Sequence, residues 1–169
     1  MQKHDIGRAA FNATIAAGLD MENTAEANRC MTAPGLCIGS SSAAKVKIAN
    51  TTTFLCGGIF KSKTSAEIAF TATTHDIPCS ATLVQEAMYL LMLAADGTPS
   101  LVMGAIVAGS GNALLPERPA TGTPIGAVRI AVAAGSTKFT AGSDLLSAGH
   151  LTVTYYDIGY IAPRFDTVQ

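Results

Sequence analysis

Apolar residues in this chain come in strand-length segments set off by glycine and proline, and that punctuation leaves room for little besides a mainly β fold. Lys45-Val46-Lys47-Ile48-Ala49 alternates polar and apolar with a period of two. Thr53-Phe54-Leu55-Cys56 and Ile59-Phe60-Lys61 flank Gly57-Gly58, the two-residue signal of a tight hairpin. Ile68-Ala69-Phe70-Thr71-Ala72-Thr73 alternates less cleanly and reads as a further strand. Glu86 to Ala95 and Leu101 to Val107 read as two long strands around the turn Asp96-Gly97-Thr98-Pro99. Ala, Leu and Met favour helix over Gln85 to Ala95. The strand-like segments on both sides decide for a strand there.

Two prolines three residues apart hold Asn112-Ala113-Leu114-Leu115-Pro116-Glu117-Arg118-Pro119 extended. Ile125-Gly126-Ala127-Val128-Arg129-Ile130-Ala131-Val132 is the clearest strand of the chain. After Phe139-Thr140-Ala141-Gly142, the segment Ser143 to Gly149 reads as one short helical turn, capped by Ser143 and closed by Gly149. Leu151-Thr152-Val153-Thr154-Tyr155-Tyr156-Asp157 returns to period two. Seven or eight short strands without an internal repeat predict a β-sandwich or jelly-roll-like domain over residues 45–157.

The flanks differ from this domain. Asp5 to Leu19 reads as a short amphipathic helix, with Asp5 as N-cap and Phe11, Ile15 and Leu19 on one stripe that Arg8 extends. A helix this short needs a surface to dock on, either its own domain or a neighbouring molecule. Residues 20–44 end in Gly39-Ser40-Ser41-Ser42-Ala43-Ala44, a small-residue connector, so residues 1–44 read as an arm. The tail, 158–169, sets Tyr160, Ile161 and Phe165 around Pro163, apolar side chains that docking on a neighbour would explain.

Composition narrows the partners. Charged residues are 14% of the chain and the net charge is −1, so the basic footprint of a nucleic-acid or anionic-membrane binder is missing. Ala, Thr, Gly and Ser fill 75 of 169 positions, which predicts a largely uncharged surface suited to contact with other protein. No apolar stretch approaches the ~20 residues of a membrane helix, and the N-terminus reads without a secretory signal. Cys30, Cys37, Cys56 and Cys79 form no C-x-x-C pair and read as four buried, reduced thiols. His75 and Cys79 are near in sequence, but a metal site needs further ligands, so no metal or cofactor is expected. Gly109-Ser110-Gly111 lacks a nucleophile elbow, and Gly104-x-x-x-x-Gly109 lacks the lysine of a phosphate loop. Glu67 and Glu86 are the strand-adjacent acids to inspect for a carboxylate pair. The reading is of a non-enzymatic protein.

Several strings together carry a resemblance. They are Tyr89 to Thr98, Leu114-Leu115-Pro116-x-x-Pro119, Thr123-Pro124-Ile125-Gly126-Ala127-Val128-Arg129-Ile130, Phe139-Thr140-Ala141-Gly142-Ser143-x-Leu145 and Val153-Thr154-Tyr155-Tyr156-Asp157, with the upstream Phe54-x-x-Gly57-Gly58-x-Phe60-x-x-Lys63-Thr64. In this order they resemble small virion structural proteins of tailed bacteriophages, of the capsid decoration (cement) type, over roughly residues 45 to 157. Ala141 stands where that pattern has proline. The resemblance implies a protein on the outer surface of the phage head, made in the host cytoplasm, that clamps adjacent capsomers. It implies the major capsid protein and the chain itself as partners, the latter as a homotrimer at local threefold positions. Arg8, Phe11, Ile15, Leu19, Tyr160, Ile161 and Phe165 are then the expected contacts with the shell. A head-fibre, tail or receptor-binding component is the alternative, although the chain has no Trp for a sugar site and no repeat or coiled coil for a fibre.

Overall fold

A computed structural model describes residues 27–157. The expected helix from Asp5 to Leu19 and the tail 158–169 lie outside the described residues. The described chain is mainly β, with ten strands: β1 (Leu36–Ile38), β2 (Lys45–Ile48), β3 (Thr52–Cys56), β4 (Ile59–Lys63), β5 (Ala66–Ala69), β6 (Gln85–Leu93), β7 (Pro99–Met103), β8 (Val107–Ala108), β9 (Thr123–Val132) and β10 (Leu151–Asp157). They form three antiparallel sheets, ordered β1-β2-β5, β10-β9-β6-β7 with β8 also on β6, and the hairpin β3-β4.

One core joins the three sheets. Val46 and Ile48 of β2, Phe54 of β3, Ile68 of β5, Tyr89 and Leu91 of β6, and Val128 and Ile130 of β9 belong to a single buried cluster. β1 lies against β10 and β5 against β7, and the Leu36 N–H donates to Asp157 Oδ1 at 2.7 Å across the β1–β10 junction. Phe70 meets Tyr89 and Phe139 edge-on, at 5.1 and 5.6 Å between ring centres, the arrangement that aromatic quadrupoles favour. The Tyr89 hydroxyl donates to the buried His75 carbonyl at 2.7 Å.

β6 shows why helix-favouring residues form a strand here. Ala87, Tyr89, Leu91 and Leu93 point into the core, while Glu86, Met88, Leu90 and Met92 face the other side of the sheet and are also buried. A strand covered on both faces reads as a continuous apolar run. The chain beyond β8 crosses that outer side: a Cβ on Gly104 would lie 2.8 Å from the Leu114 carbonyl oxygen, so only glycine admits the crossing. β7 and β8 are two parts of one edge, because Met103 faces Tyr89 and Val107 faces Glu86. Gly104, Ala105 and Ile106 there oppose only Ala87 and Met88, a bulge.

Several local expectations change. Cys30 and Cys56 are buried as expected, but Cys37 is only partly buried and Cys79 is exposed. Residues 27–44, read as arm and connector, contain β1 and two members of the core, Cys30 and Leu36; a three-residue strand is too short to show periodicity. β5 begins at Ala66 and ends at Ala69, and the expected strand through Thr73 gives way to a turn. There the Thr71 N–H donates to His75 Nδ1 and the His75 N–H to the Thr71 carbonyl. The short helix expected over Ser143 to Gly149 is instead a series of turns. Leu146 is buried and donates its N–H to the Ala43 carbonyl at 2.8 Å, and Asp144 Oδ2 accepts from the Thr140 N–H at 2.6 Å. The Leu146 tie runs outside the segment and takes that N–H from helical bonding, so the turn that Ser143 and Asp144 make on the Thr140 carbonyl does not continue as a helix.

Candidate interaction surface

The β3–β4 hairpin presents the first candidate element. Gly57 and Gly58 both have positive φ, 59° and 74°, the combination a tight two-residue turn requires and that residues with a Cβ rarely adopt. Cys56 pairs with Ile59 across it. The base is fixed on the opposite edge of β3, where Cys30 bridges Phe54. Asn28 Oδ1 accepts from the Gly57 N–H and the Ala27 carbonyl from the Gly58 N–H, each at 2.8 Å. The Thr123 hydroxyl donates to the Leu55 carbonyl and joins the hairpin to the start of β9. From this anchored base Ile59 and Phe60 project with 60% and 63% of their surface exposed.

The second element is the segment between β8 and β9, which carries Leu114 and Leu115, 77% and 50% exposed. Its anchor is Glu86, whose carboxylate is fully buried on the outer side of β6. Glu86 Oε1 accepts from the backbone N–H groups of Asn112 and Ala113, and Oε2 lies 3.0 Å from Arg129 Nε. Burial alone would raise the Glu86 pKa; the N–H groups of Ala113 and Asn112, with the Arg129 charge, outweigh it and hold the carboxyl below its ordinary range. Further along, Arg118 Nη2 donates to the Asn28 carbonyl at 2.9 Å. Asn28 therefore ties both exposed elements to one stretch of backbone. A cleft of about 480 Å³ lies between them, lined by Asn28, Gly57, Met92, Ala95 and Pro119 among others.

The other candidate acid and base groups, Glu67 and His75, are engaged in holding the fold. Glu67 Oε1 accepts the N–H groups of Ser40 and Ser41, both at 2.7 Å, and the Ser41 hydroxyl donates to Oε2. The hydroxyl and N–H of Ser41 are foremost in pulling its pKa to about 2. Glu67 and Glu86 sit in different sheets, each with its own partners. His75 is buried, which pushes its pKa down, and it accepts at Nδ1, so it is neutral. It lines a groove of about 520 Å³ beside β7 with Thr74, Met103 and Ile106. Among the described residues no group of three or more His, Cys, Asp or Glu is placed to hold a metal ion. Among them, too, no helix is long and apolar enough to cross a membrane.

Arg8, Phe11, Ile15, Leu19, Tyr160, Ile161 and Phe165 all lie outside the described residues, so the structure brings none of them to this surface. Ile59, Phe60, Leu114 and Leu115 were not singled out from the sequence. The signal for the first pair was its position immediately after Gly57-Gly58, where a hairpin tip has no layer beneath it. The signal for the second was its place before Pro116, in a segment barred from pairing as a central strand. No protein-family model, curated protein or solved structure matches the chain.

Proposed function

We propose that the chain is a non-enzymatic virion structural protein that decorates the outer surface of a phage head, binding the major capsid protein and stabilising adjacent capsomers. The observation that carries the reading is the presentation of Ile59, Phe60, Leu114 and Leu115 to solvent from supports fixed by hydrogen bonds. Large apolar side chains held rigidly outside the core contribute to association without an ordering cost at the moment of binding. Phe60, Leu114 and Leu115 are among the residues that carry the resemblance to decoration proteins. The low charge of the chain supports the same reading, and three sheets around one core support a sandwich-like scaffold. Phe11, Ile15 and Leu19, with Tyr160, Ile161 and Phe165, extend the proposed contact to the two termini.

The mechanism is binding without turnover. A ligand that binds only the expanded shell stabilises it by about 2.7 kcal/mol per site when free ligand is a hundred times its dissociation constant. Co-sedimentation with purified expanded heads tests the proposal. Saturable binding that the double substitution Ile59→Thr, Phe60→Thr weakens at least tenfold is expected. Absence of binding, or binding indifferent to those substitutions and to Leu114→Thr with Leu115→Thr, overturns it. Unchanged binding after deletion of residues 1–20 removes the arm from the contact.

A further inference from the structure

Among the described residues the sheets leave several edges unpaired, and all but one of these carry a feature that discourages pairing. β4 bears Lys61 and Lys63. β7 begins at Pro99 and is separated from β8 by the bulge at Gly104. β1 has three residues, and β5 has four, with Glu67 among them. β10 has seven residues in unbroken register with β9, without Lys, Arg, Pro or a bulge. A long, regular edge whose single charge, Asp157, lies at its end is a template for another strand, and natural proteins either blunt such an edge or use it.

The β10 sequence identifies the strand that fits. The Ala133 N–H donates to the His150 carbonyl, and the register pairs Thr152 with Ala131 and Thr154 with Arg129. In an antiparallel ladder hydrogen bonding alternates along the strand, so Thr152, Thr154 and Tyr156 bond towards β9, while Val153, Tyr155 and Asp157 direct their N–H and C=O groups to the open edge. Laid antiparallel against itself about Thr154, the strand sets Val153 against Tyr155 of the second copy. These are the residues whose edge groups are free, so the hydrogen-bond parity matches as well as the side chains. Thr154 then meets Thr154, Thr152 meets Tyr156, and Leu151 meets Asp157. Aromatic with β-branched and Thr with Thr are favourable cross-strand pairs. The single charged residue, Asp157, is at the end, so the two carboxylates sit at opposite ends of the ribbon and no like charges face each other.

We infer that β10 is a self-association edge, through which two copies pair about a two-fold axis at Thr154 and join their larger sheets into one. The inference stands apart from the capsid reading, and it replaces the threefold grouping that the resemblance implies with a pair. A strand edge alone buries less than the 1,200–2,000 Å² of a standard interface, roughly speaking, so association belongs in the micromolar range.

Light scattering coupled to size exclusion, across micromolar concentrations of the full chain, is the test. The expected mass rises to twice 17.3 kDa. Thr154→Glu sets like charges against each other on the axis, while its neighbour in the same chain is Arg129. That variant stays monomeric at every concentration, with unchanged circular dichroism. Non-hydrogen-bonded antiparallel neighbours have Cα atoms about 4.5 Å apart, within the span of a disulfide. Thr154→Cys, in a Cys79→Ser background that removes the exposed native thiol, therefore cross-links under mild oxidation, and Thr152→Cys does not. A mass of one or three chains, no cross-link at Thr154, or equal cross-linking at Thr152 overturns the inference.

Discussion

Glu86→Gln isolates the charge of the buried carboxylate that fixes the segment carrying Leu114 and Leu115, because glutamine retains an oxygen for the Asn112 and Ala113 N–H groups. Hydrogen bonds to a charged group contribute about 1.5–3 kcal/mol and neutral ones about 0.5–1.5, so two bonds lose about 2 kcal/mol together. Removing one partner of a buried ion pair costs about 3–5 kcal/mol. Here the cost is smaller, because the Arg129 side chain retains 21% of its exposure and can recover some hydration. The expected loss is about 3 kcal/mol, or about 6–12 °C in Tm for a chain of this size. Urea unfolding at pH 7, followed by circular dichroism and tyrosine fluorescence, measures it, with an unchanged m-value. The folded-state pKa of Glu86 lies below its ordinary value of 4.5. Its stabilisation is therefore complete above that value and is lost as pH falls through the folded pKa, so the difference between the proteins narrows in acid. Amide exchange at Asn112 and Ala113 accelerates in the variant. A loss under about 0.5 kcal/mol, or one constant from pH 7 to pH 3, refutes the role given to Glu86.

Three further outcomes follow from the same geometry. Ile59→Thr with Phe60→Thr changes stability by less than about 0.5 kcal/mol per site, as urea unfolding will show, because neither side chain is in the core; the binding loss in co-sedimentation then reports on contact and not on folding. Tyr89→Phe leaves the buried His75 carbonyl without its donor and costs about 1–2 kcal/mol in the same assay. Burial lowers the His75 pKa from its ordinary 6.5, so its neutral ring stabilises the fold above pH 6.5 and that contribution is lost as pH falls through the lowered folded-state pKa; a Tm profile of His75→Gln is flatter below pH 6.5.

Residues whose neighbours in sequence also decide their surroundings were legible. β10 matches the period-two stretch Leu151 to Asp157, and Gly57-Gly58 and Asp96-Gly97 mark turns because their backbone conformations suit few other residues. β6 was legible through its flanks and not its own composition, because its outer side is covered by a segment some twenty residues further on. Long-range ties hid the rest. The N–H of Leu146 bonds to Ala43, and β1 is held by pairing with β2. Glu86 looked like a candidate acid, yet its ligands are backbone N–H groups that no side-chain motif records. The exposed pairs at Ile59–Phe60 and Leu114–Leu115 were visible as apolar residues, but a pattern of hydrophobicity does not distinguish a core position from a projecting one.

Copy number in purified virions, by quantitative mass spectrometry against the major capsid protein, addresses the central claim most directly. Decoration of the head predicts hundreds of copies per particle in a fixed ratio to the capsid protein, and a handful of copies, or none, contradicts it.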